Sequence, residues 1–218
     1  MIVRVGQIAA ESATVVIPTG HQAGDLLLVF AFRDGSVTNP SLPVGWTNLL
    51  TPDGTSCSVR VAYRIAASSA ESNAVFTNAT ATICHVYRSV KSDGVPVGTP
   101  VAAAGTTSPS TYSAVTQKGT TSWFAAFQGH RSVDTTTLTN PPTGMALAAS
   151  NLGATCDVAS FDTGRSYSGS YPSNTVAPGG TASGWQTVVI EIRTAEFLLN
   201  NYQFPRVGDG MATTERIR

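Results

Sequence analysis

The chain has 218 residues with 13 basic and 13 acidic side chains, so it lacks the basic surplus with which nucleic-acid binders neutralise phosphates. Only 12% of its residues are charged, against roughly 25% in an average domain, while 22 Ser, 29 Thr, 20 Gly and 12 Pro make up more than a third of it. Its 42% hydrophobic content excludes a disordered linker, and lysine at Lys91 and Lys118 alone, with no Ala/Glu/Lys/Leu runs, disfavours long helices and coiled coils.

The N-terminal stretch MIVRVGQIAAESATVVIP has no basic region followed by an unbroken apolar run, so no secretory signal is expected there. Strand-like runs separated by Gly, Pro, Asn, Asp and Ser clusters follow at 14–17, 25–33, 46–50, 58–66, 80–90, 112–115, 122–128, 145–149, 154–161 and 184–193. The longest apolar run, 26–32, is far short of the roughly 20 residues of a membrane helix, and no membrane partner is expected. It is apolar on both faces up to Arg33, which predicts a central strand covered on both sides, or one that meets a partner. In SVRVAYRIA, by contrast, Val59, Val61, Tyr63 and Ile65 share one face while Arg60 and Arg64 share the other. Strands at this spacing predict an all-β, two-sheet antiparallel sandwich.

The two halves resemble one another at an offset of about one hundred residues. VFAFRDGSVTNPSLPVGW (29–46) matches WFAAFQGHRSVDTTTLTNPPTGM (123–145), aligning Pro43 with Pro142 and Gly45 with Gly144. CSVRVAYR (57–64) then matches ATCDVASFD (154–162), and NATATICHVYR (78–88) matches TASGWQTVVIEIR (181–193). The expectation is one jelly-roll-like sandwich over 1–193 made of two similar halves, 13–90 and 112–193, each lending strands to a shared closed structure. The stretch 91–109 reads as linker-like, which keeps two small domains as the alternative. Segment 194–218 holds Phe197, Leu198, Leu199, Tyr202 and Phe204 before a Pro/Gly break, and is expected to be an extended docking arm.

Residues that carry chemistry are sparse. Cys57, Cys84 and Cys156 are odd in number and widely spaced, as reduced core thiols would be. His85 follows Cys84 on a strand, so the two face opposite ways and no metal site is expected. His130 stands beside Arg131 and near Asp134, but no GxSxG motif accompanies them and no catalytic residue is assigned. Gly-rich 177–184 lacks the Lys and helix of a phosphate loop, Asp34, Asp53 and Asp93 sit in Asp-Gly turns, and no cofactor is expected. Trp46, Trp123, Trp185, Tyr167 and Tyr171 could form a sugar-stacking platform, although strand-edge tryptophans ordinarily pack cores. SYSGSYPSN (166–174) reads as an exposed aromatic loop, making Tyr167 and Tyr171 the candidate ligand contacts.

GHQAGDLLLVFAFRDGS (20–36), LPVGWTNL (42–49), CHVYRSV (84–90), FQGHRSVD (127–134) and PPTGM (141–145) together resemble a group of bacteriophage virion proteins, structural or tail-fibre-associated. The resemblance spans most of 13–193 and rests on turns and strands, so it carries no active site across. It implies a non-enzymatic β-rich particle component, made in the host cytoplasm and located in the virion. Its expected partners are other virion proteins and copies of itself, with Phe197, Leu198, Leu199, Tyr202 and Phe204 as contacts. Capsid decoration and a carbohydrate- or receptor-binding module that meets a host surface glycan are the alternative roles.

Overall fold

Two strands that are buried on both faces dictate the architecture, because each is covered from both sides. In the computed structural model, which describes residues 1–52, 54–91, 94–119, 121–131, 136–177 and 183–194, these are β3 (Leu26–Arg33) and β10 (Ser122–His130). Each lies at the centre of a five-stranded antiparallel sheet. The first sheet runs β1 (Val3–Ala10), β7 (Ala81–Arg88), β3, β5 (Ser58–Ile65), β4 (Thr47–Leu50). The second runs β8 (Val101–Gly105), β14 (Trp185–Arg193), β10, β12 (Asp157–Asp162), β11 (Ala146–Leu152). Their inner faces enclose a central core that includes Leu28, Phe30, Phe32, Val59, Val61 and Ile83 from one sheet and Ala125, Phe127, Val158, Val188, Ile190 and Ile192 from the other. The chain is thus all-β, a two-sheet antiparallel sandwich.

The outer faces are roofed as well. The pair β2 (Thr14–Val15) and β6 (Ala74–Val75) helps close a second core over Leu27, Val29, Ala31 and Trp46. The pair β9 (Ser110–Tyr112) and β13 (Asn174–Val176), with the 3-10 turn Thr136–Thr139, closes a third over Phe124, Ala126, Phe161 and Val189. Every strand of the first half therefore has a counterpart seven labels later, in the same sheet position. The chain does not alternate between sheets as in a jelly roll: residues up to Arg88 build one whole sheet, and residues from Val101 build the other. The expected linker 91–109 contains the edge strand β8, whose VAAAG sequence has too little apolar bulk to announce a strand.

The matched turns repeat atom for atom in type. Trp46 N–H donates to Pro43 O at 3.3 Å and Met145 N–H to Pro142 O at 3.0 Å. Gly45 (φ 82°) and Gly144 (φ 79°) take the left-handed conformation that the third position of such a turn demands. Trp46 and Met145 then drop into the second and third cores.

Across the central core, residues meet their own counterparts. Phe32 pairs in register with Val59, and Gly129 with Val158, two residues after Cys57 and Cys156 respectively. That equivalence aligns Phe30 with Phe127 and Asp34 with Arg131. Phe30 and Phe127 stack, ring centroids 5.5 Å apart and planes 8° from parallel. A β-carbon on Gly129 would overlap the Phe32 ring. Asp34 Oδ1 accepts from Arg131 Nε at 2.5 Å. Three such encounters at alternate positions place a pseudo-twofold axis between β3 and β10, parallel to both strands, as in an isologous interface. Gly129→Ala is expected to lower stability in urea unfolding by about 1–3 kcal/mol, and Phe32→Leu added to it to recover part of that loss. Simple additivity of the two losses would show that the residues do not meet.

Candidate functional site

The loop expected at 166–174 is exposed at its Ser, Gly and Pro residues, but its two aromatic rings are not. Tyr167 exchanges backbone hydrogen bonds with Ser122, and Tyr171 with Val115, which stitches the segment onto the outer face of the second sheet. Tyr171 is buried and its hydroxyl donates to Thr143 O at 2.8 Å, while half-buried Tyr167 packs edge-on against Phe124 at 5.5 Å. Both rings are drawn in because β10 needs apolar cover for Phe124. Trp46, Trp123 and Trp185 are buried too, and Trp185 Nε1 donates to Thr107 O at 2.7 Å, so none stands in a sugar platform.

Histidines and cysteines are likewise placed inside. His21 holds a turn, with Nδ1 on Pro18 O at 2.8 Å and Nε2 accepting from Glu71 N–H at 3.1 Å. His130 is buried at the end of β10, and Asp134 lies outside the described residues. All three thiols are free and buried, and burial pushes Cys57 and Cys156 up to about 12, which leaves little nucleophilic thiolate. Among the described residues, no three His, Cys, Asp or Glu side chains converge as metal ligands would. A cleft of about 310 Å³ lies between Asn48 and Leu49 of β4 and residues Val95 to Pro100, beside Arg193. Phe197, Leu198, Leu199, Tyr202 and Phe204 lie outside the described residues; the last described one, Thr194, bridges Val90.

One polar cluster does form, between the sheets. Alternation along β7 turns Cys84 and Val86 to the outer core and His85 and Tyr87 inward, where they meet Ser160 and Asp162 of β12. Asp162 Oδ2 accepts from Arg4 Nη1 of β1 at 2.6 Å and from the Tyr87 hydroxyl at 3.2 Å. With its hydrogen so committed, Tyr87 oxygen accepts from His85 Nδ1–H at 2.7 Å. His85 Nε2 is then the acceptor for the Ser160 hydroxyl, also at 2.7 Å. Burial pushes His85 down to about 3, with the Arg4 charge adding to the effect, so the imidazole is neutral. Burial raises the Tyr87 hydroxyl well above its ordinary value, and raises Asp162 against the opposing pull of Arg4.

A serine bonded to a histidine oriented by a third group is the arrangement that activates nucleophiles. Here Ser160, His85 and Tyr87 are fully buried, so in this fold the chain of bonds fastens β1 and β7 to β12. Sequence alone missed it, although a signal existed. The counterparts of His85 and Tyr87 in β14 are Ile190 and Ile192, so polar side chains stand where the other half keeps isoleucine.

Glu191 is a second buried polar anchor, on the outer face of β14. It accepts from Ser122 Oγ at 2.6 Å and from the backbone N–H of Lys118 and Gly119 at 3.0 Å each. Burial raises its pKa, but these bonds together with Arg193 outweigh burial and lower it below 4.5. A carboxylate whose folded pKa is depressed contributes stability above its unfolded value and loses it as pH falls through the folded one. Glu191→Gln is therefore expected to cost about 1–3 kcal/mol at pH 7 and to flatten the decline of stability below pH 4.5, measured by urea unfolding across pH. An unchanged acid limb would mean that Glu191 does not drive it.

Compared with protein-family models, curated proteins and solved structures, the chain matches none.

Proposed function

We propose that the protein is a non-enzymatic structural component of a bacteriophage virion, tail- or tail-fibre-associated, that joins other virion proteins through apolar contacts. The observation that supports this reading most is the inward direction of its polar chemistry. Ser160, His85, Tyr87 and Asp162 hold one sheet to the other, and Glu191 holds a turn, while both outer faces are roofed. Recognition is left to edges, turns and the segment after β14. Val44 at a turn tip is 99% exposed, and Leu147 and Leu152 are exposed on edge strand β11. A neutral body with few charges gains little from electrostatic steering, so shape and apolar burial suit it better.

In this reading Phe197, Leu198, Leu199, Tyr202 and Phe204 supply the contact, and many copies on one particle make modest contacts durable through local concentration. Deleting 195–218, or replacing Phe197, Leu198 and Leu199 together by serine in the full chain, should leave a folded domain that no longer sediments with particles. Normal incorporation of both variants would contradict the arm's role. Copy number per particle then separates a tail component, present in few copies, from capsid decoration, present in hundreds.

A further inference from the structure

The buried chain Ser160–His85–Tyr87–Asp162–Arg4 has a consequence independent of any role in a particle. We propose that it is an acid-operated latch: while His85 is neutral it keeps the sandwich shut along the β1 and β11 side, and proton uptake by His85 opens that side.

The hydrogen bonds themselves would tolerate either protonation state. An imidazolium could donate from Nε2 to Ser160, whose hydroxyl would turn to Ala149 O, already 3.2 Å away. The charge is what the site cannot hold. Among the described residues, the charged and titratable groups facing His85 are Tyr87 on its own strand, Arg4 from β1 and Asp162 from β12. β3 places Leu28 and β1 places Gln7 in register with His85, β10 brings the Phe127 ring to 5.0 Å, and the Ala149 carbonyl of β11 reaches Ser160 rather than His85. Asp162, the one carboxylate present, is already bound to Arg4 at 2.6 Å, and Arg4 repels a second cation. A buried cation without a free counter-charge is relieved by admitting water.

A short route for water passes Arg4. The Arg4 side chain is 25% exposed, on an edge strand that is only half-buried and is bulged between Arg4 and Gly6. β1 closes this side against β11. Release of Arg4 therefore admits water to His85 without first disturbing β3 or β10.

The direction of the pH effect follows from linkage. The closed state holds His85 near 3 and an opened, hydrated state returns it to the ordinary 6.5, so the closed state is fully favoured above pH 6.5 and loses ground as pH falls below it. The opening constant then rises about 25-fold from pH 7 to pH 5.

Hydrogen exchange of the intact protein at these two pH values, corrected for intrinsic rates, tests the latch. Amides of β1 and β11 should lose protection by about 25-fold while those of β3 and β10 hold, and His85→Gln should abolish the difference. Equal protection of β1 and β11 at both pH values, or the same loss in H85Q, overturns the proposal. Should H85Q not fold, Arg4→Gln serves instead. It frees Asp162 to compensate the imidazolium, so the acid response of β1 should shrink severalfold, and an undiminished response overturns the proposal.

Discussion

The packing of β3 against β10 is the constraint on which the remaining structure depends. Each strand is buried on both faces, β3 as a wholly apolar run and β10 with its outward Ser122 and Gln128 hydrogen-bonded, so neither lies in a sheet with a wet side. One face of each is covered by the other, through the Phe30–Phe127 stack and Phe32 lying over Gly129. The remaining faces require roofs, which β2–β6 and β9–β13 help to provide. Three cores in series follow from two strands, and most of the aromatic side chains are used in building them.

A pseudo-twofold axis along those strands sets rules for what can change. A residue on the axis meets its own counterpart, so any change must suit both copies of the position. Two phenylalanines stack well. At the next inward position a second ring has no room, and Gly129 stands against Phe32. At the third, two like charges would repel, and Asp34 faces Arg131 instead. Away from the axis the halves are free to differ. His85 and Tyr87 occupy positions that β14 fills with Ile190 and Ile192, which gives the β1/β11 side a polar fastening that the β4/β8 side lacks at the equivalent positions. The described fold thus combines a symmetric apolar frame with asymmetric polar joints between the halves, the His85 cluster among them.

Much of this was legible in the residues. The run at 26–32 announced a doubly covered strand, and the Pro43/Gly45 and Pro142/Gly144 turns the correspondence between halves. The alternation in SVRVAYRIA placed Val59 and Val61 in the central core but not Ile65, which is exposed at the strand end, nor Ala62, which the outer core buries. The edge strands β1 and β8 were not legible, because their Gly, Ala and bulged positions lack a period-two apolar pattern. The separation of the halves into whole sheets was not legible either, since strand spacing says nothing about which sheet a strand joins. Tyr171 was misplaced by its setting among Ser, Gly and Pro, which describes the loop around it but not the apolar floor beneath. Beside His85 the sequence offers only Cys84, which faces the other way and so argues against a metal site. The partners that matter, Ser160 and Asp162, are distant in sequence and come from the other half.

Because both sheets share one central core, neither half should persist without the other. The tryptophans report on this separately, since Trp46 lies in the outer core of the first sheet while Trp123 and Trp185 belong to the second half. Urea unfolding of fluorotryptophan-labelled protein, followed by fluorine resonances assigned to each position, tests the shared core most directly. Coincident transitions at Trp46, Trp123 and Trp185 are the predicted result; a range of urea in which Trp46 is unfolded while Trp123 and Trp185 remain native, or the reverse, would contradict it.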